Sequence, residues 1–245
     1  MTAFRPRHLS VSAVELYARC AAQYKRRYVD RILDPPNRAM AWGTAFHKAL
    51  EAVHTAKPDA DYELTWIKTW NAMQAEMGRD FWPTKSYGLE LLEQFHARGL
   101  AVKCPAEVKF SLPFPGGKIP VPLLGFIDAT PPDDTREYKT TKGGWWNEMR
   151  AQMAHQNHVY GWVRQRLHHH RRPTRYVIFG TRAPTITEFL VEPSPDGFRL
   201  FEMLAEGVWN GILEQRYDGC GDCFVCTPGS TKPAADGAMF DWDLE

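Results

Sequence analysis

The stretch that decides the reading is Gly125-Phe126-Ile127-Asp128-Ala129-Thr130, then Pro131-Pro132-Asp133-Asp134, then Thr135-Arg136-Glu137-Tyr138-Lys139-Thr140. The outer segments read as strands, and the Pro/Asp cluster between them is turn chemistry: proline presets φ, and aspartate ties the local backbone. Folded symmetrically about that turn, the strands bring Asp128 opposite Glu137. Directly opposed residues have Cβ atoms about 5 Å apart. Two carboxylates at that distance repel unless a cation lies between them. Lys139, two residues beyond Glu137, points to the same face, whereas Ile127 and Tyr138 point to the other. Two acids and a lysine on one face suit hydrolysis of a phosphodiester. The acids hold a hard divalent cation through oxygen, the cation activates water, and the lysine orients that water or neutralises the phosphate. The pattern D-x8-E-x-K is short, and by itself it also reads as three solvated charges on an exposed hairpin.

Upstream of the hairpin the chain reads as helical. Ser12 and Glu15 form an S-x-x-E capping box, which predicts a helix start near residue 13. Val14, Tyr17, Ala21, Tyr24 and Tyr28 continue one helix face until Asp34-Pro35-Pro36. Further helices are expected at 42–56, 61–79 and 86–101, and strands at 106–112, 119–129 and 135–141. A long helix over 147–170 follows, then strands at 175–181 and 186–191 and a helix at 196–215. This order predicts an α/β fold: a central mixed β-sheet flanked by helices, with a helical N-terminal part. We expect a single domain over 1–226, made of a helical part (9–101), a sheet core with the hairpin (102–195) and a helix with a cysteine cluster (196–226). Residues 227–245 read as a flexible acidic tail.

The 245 residues are enough to bury a substantial core, and a 44% hydrophobic, 24% charged composition is that of an ordinary globular protein. A formal net charge of +1 gives no global sign of a nucleic-acid binder, so that case rests on local charge. Residues 1–50 carry nine Lys/Arg against three acids, and residues 163–182 carry six arginines, three histidines and no acid. Basic side chains near a helix C-terminus complement its dipole, but six exceed that need. With the tryptophans Trp145 and Trp146 they suit a channel for single-stranded DNA, combining phosphate contacts with base stacking. Arg171, Arg172 and Arg175 are the DNA contacts we expect there. The first ten residues hold two arginines and no apolar run, so no signal peptide is expected. No run of eighteen apolar residues occurs, and no membrane partner is expected.

Five cysteines are present, and Cys220, Cys223 and Cys226 read C-x2-C-x2-C. Bacterial ferredoxins supply three ligands to a [4Fe–4S] cluster with this spacing, the fourth coming from elsewhere. Four thiolates also make a structural Zn²⁺ site, and free thiols in a loose tail are the third reading.

With these neighbours the hairpin resembles the PD-(D/E)XK nuclease superfamily, and within it the RecB-like branch of CRISPR-associated and phage exonucleases. Four further segments carry the likeness in order. Leu9 to Tyr28, with Ser12-Ala13-Val14-Glu15-Leu16-Tyr17 and Cys20, looks like the opening helix. Gly43-Thr44-Ala45-Phe46-His47 is similar to a G-x-x-x-H motif, Glu107 to the glutamate of the preceding strand, and Gln156 to Tyr160 to a Q-x3-Y motif. The likeness spans roughly 9–226. Ile127 stands where the superfamily's name has proline, no proline follows Cys20, and the final cysteine spacing is tighter than the branch's usual pattern.

The resemblance implies a catalytic set of Asp128, Glu137, Lys139 and His47, with His47, Asp128 and Glu137 holding Mg²⁺ or Mn²⁺. A histidine among Phe46, Ala49 and Leu50 otherwise reads as a core or surface residue. The resemblance also implies that Gln156 and Tyr160 line the cleft and touch DNA, with Gln152 and Glu107 as secondary members. It places the fourth cluster ligand at Cys20; Cys104, at the start of a strand, reads as a buried hydrophobe. The expected activity is a metal-dependent exonuclease on single-stranded DNA or DNA ends. The setting is recombination, repair or phage DNA processing in a bacterial or phage-infected cytoplasm, with recombination or replication proteins as possible partners. A non-catalytic DNA-binding module held by its cysteines and a structure-selective endonuclease are the alternatives.

Overall fold

Helix starts in this chain are set by short polar side chains that satisfy the first free backbone N–H groups. A computed structural model describes residues 4–33, 37–55, 61–77, 83–142 and 146–227. Ser10 Oγ accepts from the Ala13 N–H at 3.1 Å and starts α1 (Val11–Arg19). Ser12, the expected cap, instead lies inside the helix with its hydroxyl 3.0 Å from that of Ser10. Asn37 starts α3 (Arg38–His54), Thr84 starts α5 (Lys85–Ala97), and Asn147 starts α6 (Glu148–Met153) in the same way. The remaining helices are α2 (Ala21–Tyr24), α4 (Tyr62–Met77), α7 (His155–His168) and α8 (Pro195–Leu213).

Two helices expected to be continuous are broken. Cys20 takes an extended conformation between α1 and α2, and α2 runs into a π-helical turn over Lys25–Val29. Ala154 is also extended and separates α6 from α7. In both places the apolar period continues through the break, so periodicity alone cannot reveal it.

Five strands form one mixed sheet in the order β1 (Ala106–Pro113), β2 (Pro122–Ala129), β3 (Thr135–Thr141), β4 (Thr174–Gly180) and β5 (Ile186–Val191). β2 and β3 are the antiparallel hairpin, with Ala129 paired to Arg136. β3 and β4 are parallel, Thr135 facing Thr174, and β4 and β5 are antiparallel. Parallel neighbours need a crossover, which α6 and α7 supply. The fold is α/β, as expected.

The chain divides into two units. One comprises residues 1–35, 109–125 and 194–245. Here residue 9 pairs with β2 through Leu9 N to Pro122 O and Leu124 N to Leu9 O, at 3.0 and 2.8 Å. α1 packs on α8 at Gly211, where any Cβ would collide with the Tyr17 ring. The tail expected at 227–245 lies outside the described residues except for Thr227. The other unit comprises residues 36–108 and 126–193. Its core is aromatic: Phe46 of α3 stacks on Trp42 at 4.7 Å and meets Trp66 of α4 edge-on at 5.6 Å and Phe179 of β4 at 5.0 Å. Each such ring contributes about 1.5–3 kcal/mol on burial. They anchor α3, and with it His47, against the sheet. No helix among the described residues is long and apolar enough to cross a membrane.

Candidate active site

α3 approaches β3 closely because Gly43 has no side chain: a Cβ there would lie 3.1 Å from Thr140 Oγ1. One turn later the same face carries His47, 6% exposed. Its Nδ1 lies 3.9 Å from Asp128 Oδ1. Burial, and then the charge of Lys139, push the imidazole down to about 3. His47 is therefore a neutral ring at ordinary pH, the form that binds metals.

Continuing the Ala129–Arg136 register by one step places Asp128 across from Glu137. Asp128 Oδ2 accepts the Tyr138 backbone N–H at 2.6 Å. Its carboxyl is pushed well above the usual range by burial, then by Glu137 and Glu107. Glu107 on β1 sits in the left-handed region, with φ of 49°. That conformation is costly for a non-glycine residue and persists where surrounding structure enforces it. Burial, then the charges of Glu51 and Glu137, raise its carboxyl to about 7.

His47, Glu107 and Asp128 each offer a ligand atom, and these atoms lie within 4.8 Å of one another. Two carboxylates and a neutral imidazole suit Mn²⁺ or Mg²⁺. The raised carboxyls of Asp128 and Glu107 mark negative charge that a cation would relieve. Glu107, secondary in the sequence reading, thus stands in this tight group. Glu51, one turn after His47 on α3, was not anticipated; its i+4 spacing from His47 was the available signal.

Glu137 is held differently. Its Oε1 lies 2.6 Å from Lys139 Nζ and accepts from Gln156 Nε2 at 3.1 Å. Its Oε2 accepts from the Tyr160 hydroxyl at 2.7 Å. Gln156 Oε1 in turn accepts from Lys139 Nζ at 3.0 Å. Tyr160 also lies 3.0 Å from the Phe126 carbonyl, and burial pushes its phenol well above the ordinary value, so it stays a donor. Lys139 Nζ sits 5.6 Å from the centre of the Trp146 ring, within cation–π reach. Asp128, Glu137, Lys139, His47, Gln156, Tyr160 and Glu107 therefore converge.

The remaining expected residues do not join them. Gln152 bonds Glu148 at 3.4 Å on an exposed face. Arg171 is exposed and Arg172 partly buried. Arg175 is tied to Asp134 at 2.6 Å and Glu188 at 3.0 Å. Trp145 lies outside the described residues.

A model of the PD-(D/E)XK nuclease superfamily matches residues 8–227. The chain belongs to that superfamily. Among solved structures, a candidate exonuclease from Eubacterium rectale superposes with a TM-score of 0.64 over 94% of this chain and 91% of its own, at 12% identity. At that identity the likeness concerns the fold. The structure of SSO0001 gives a TM-score of 0.42 at 12% identity, over 89% of this chain and 81% of its own. No curated protein matches the chain.

A second group lies in the other unit. Cys20, Cys220, Cys223 and Cys226 all have their sulfurs within 4.8 Å of one another, and none is in a disulfide. Cys20 Sγ is 3.6 Å from Cys223 and 3.5 Å from Cys226, and those two are 3.4 Å apart. The extended backbone of Cys20 interrupts the helix at this group. Burial raises the Cys20 thiol to about 12. Cys104 is elsewhere, 3.6 Å from His54 Nδ1. Tyr17 holds the segment independently, its hydroxyl donating to the Arg216 carbonyl, and Ala22 N donates to Asp218 O at 3.3 Å.

Proposed function

We propose that this nuclease-superfamily chain is a Mg²⁺- or Mn²⁺-dependent deoxyribonuclease, acting as an exonuclease on single-stranded DNA or DNA ends. The observation that carries the reading is the convergence of His47, Glu107 and Asp128 beside the Glu137–Lys139 pair. His47, Asp128 and Glu107 would hold the cation, with Glu137 beside them. A divalent cation there would polarise a phosphoryl oxygen and lower the pKa of bound water. Lys139 stands where it can orient the water or neutralise the phosphate. Gln156 and Tyr160 keep Glu137 and Lys139 in place by hydrogen bonds to both ends of the pair. The partly buried Trp146 beside Lys139 offers a stacking surface for an unpaired base, which supports a single strand over a duplex. The E. rectale structure, a candidate exonuclease, supports cutting from ends. The setting we assign is recombination, repair or phage DNA processing in a bacterial or phage-infected cytoplasm, alongside recombination or replication proteins. The test is a time course on end-labelled and internally labelled oligonucleotides, single-stranded and duplex, with Mg²⁺, Mn²⁺ or chelator. Stepwise release of nucleotides from single strands supports the reading. Internal cuts with no release of nucleotides from the ends would favour an endonuclease, and metal-dependent binding without cleavage a non-catalytic module.

For the cysteine group we propose a [4Fe–4S] cluster, on the strength of the C-x2-C-x2-C spacing with Cys20 drawn in as the fourth thiol. The 3.4–3.6 Å separations favour a second reading. Four thiolates on one Zn²⁺ at about 2.3 Å stand about 3.8 Å apart, whereas the thiolates of a cube bind different irons and stand farther apart. Metal analysis of anaerobically purified protein decides: a brown protein with about four irons supports the cluster, and a colourless one with a single zinc supports the staple without it.

A further inference from the structure

His54 is the last residue of α3, two turns after His47 on the same helix face, and it is fully buried. A buried histidine is ordinarily a core residue with its polar atoms satisfied. What sets His54 apart is where its partners lead. Its Nδ1 lies 2.6 Å from the Val102 carbonyl, and its backbone carbonyl accepts the Cys104 N–H at 3.1 Å. Both bonds hold the segment that enters β1, and Glu107 stands three residues beyond Cys104. The Pro105 carbonyl in that segment accepts the Thr130 N–H at 2.9 Å, two residues past Asp128. On its other side, His54 Nε2 lies 2.5 Å from the hydroxyl of Tyr138 on β3. The Tyr138 N–H in turn donates to Asp128 Oδ2 at 2.6 Å. One imidazole thus joins the elements that deliver His47, Glu107 and Asp128.

The joints are stiff. The Tyr138 ring packs against both imidazoles: its centre is 5.8 Å from that of His54, with the rings within 3° of parallel, and 6.1 Å from that of His47 at 74°. Phe95 and Phe179 meet the same ring at 5.8 and 6.0 Å. A side chain packed among four rings has little freedom to turn, so a bond at its hydroxyl is felt at its backbone. Burial lowers the His54 imidazole to about 4, so the ring is neutral, with one N–H and one acceptor nitrogen in fixed directions. Val102 takes the first and Tyr138 supplies the second.

We propose that His54 is a positioning residue for the divalent cation, setting the spacing of the three elements that carry His47, Glu107 and Asp128. The inference rests on the reading of those three side chains as the metal group. His54 stands about 10 Å from His47 along α3 and acts only through its partners. Residues that orient metal ligands from behind typically govern affinity by about 10–100-fold. Loss of the Tyr138 bond frees the strand that holds Asp128, while His47 stays on α3, so the ligand atoms no longer share one fixed spacing.

The experiment measures Mn²⁺ binding to the full chain by titration calorimetry, without DNA and without turnover. His54→Asn keeps an amide N–H near the place of Nδ1 but ends short of Tyr138. His54→Gln carries an amide oxygen out to the place of Nε2, where it accepts from the tyrosine hydroxyl. His54→Asn should weaken Mn²⁺ binding by at least about tenfold, and His54→Gln should bring it back to within about threefold of wild type. Met73→Ala, a core change on α4, should lower Tm and leave the Mn²⁺ affinity unchanged, which separates positioning from stability. Where His54→Asn does not fold, Tyr138→Phe severs the same bond from the other side and should weaken Mn²⁺ binding likewise. Wild-type Mn²⁺ affinity in folded His54→Asn, or in Tyr138→Phe, would leave His54 a core histidine and overturn the inference alone. A wild type that takes up no Mn²⁺ would refute the metal reading, and the inference with it.

Discussion

The backbone N–H of Tyr138 donates to Asp128 Oδ2 across the hairpin at 2.6 Å, so the residue between Glu137 and Lys139 fixes the carboxylate on the facing strand. Tyr138 is itself anchored from behind. Its hydroxyl meets His54 Nε2 at 2.5 Å, and His54 Nδ1 lies 2.6 Å from the Val102 carbonyl. With Nδ1–H donating to Val102, Nε2 must accept, and the tyrosine hydroxyl must donate. Tyr138→Phe leaves that buried nitrogen unsatisfied. We expect a loss of about 1–3 kcal/mol in stability, read by urea unfolding; an unchanged midpoint would show that the bond contributes nothing.

Stability of the metal-free protein should depend on Glu107. Its folded carboxyl is raised to about 7 from 4.5. A raised carboxyl favours folding while it is protonated, so the contribution is complete below pH 4.5 and is lost as pH rises through about 7. His47, lowered to about 3 from 6.5, acts oppositely: its contribution is present above pH 6.5 and lost as pH falls. Glu107→Gln should therefore be more stable than wild type in chelator at pH 8, and the gap should close toward pH 4.5. Melting curves across that range measure it, and a gap independent of pH would contradict the placement.

Arg171 and Arg175 should separate cleanly. Arg175→Ala strips an ion-pair partner from the buried Asp134 and should cost about 3–5 kcal/mol in stability if Arg136 cannot compensate. Arg171, exposed, should leave Tm unchanged when replaced by Ala and alter only DNA binding. Equal Tm for the two variants would mean that the Asp134 pairs are idle.

Cys20→Ser should lower Tm more than Cys104→Ser does, because Cys20 joins thiols some 200 residues away while Cys104 only borders His54. The opposite order would remove Cys20 from the metal group.

Much of this was legible in the residues. The register of Asp128 and Glu137 follows from a symmetric turn and a period-2 pattern, both local properties. β3 and β5 fall on their expected residues for the same reason. The breaks at Cys20 and Ala154 were hidden, because apolar spacing runs straight through them. Ser12 looked like the cap, but Ser10 has the extended backbone that lets its hydroxyl face back to the Ala13 N–H. The place of Glu107 depends on a positive φ and on burial beside Asp128, and the partners of Arg175 come from two other segments of the sheet. Such tertiary facts leave no mark on neighbouring residues.

The most direct measurement is cleavage of an end-labelled single-stranded oligonucleotide in Mn²⁺ by wild type, Asp128→Asn, Glu137→Gln and Lys139→Ala, each shown by circular dichroism to be folded. The account predicts metal-dependent cleavage by wild type and a loss of at least a hundredfold in each variant, about 2.7 kcal/mol of transition-state stabilisation. Near-wild-type cleavage by any two of the three would contradict it.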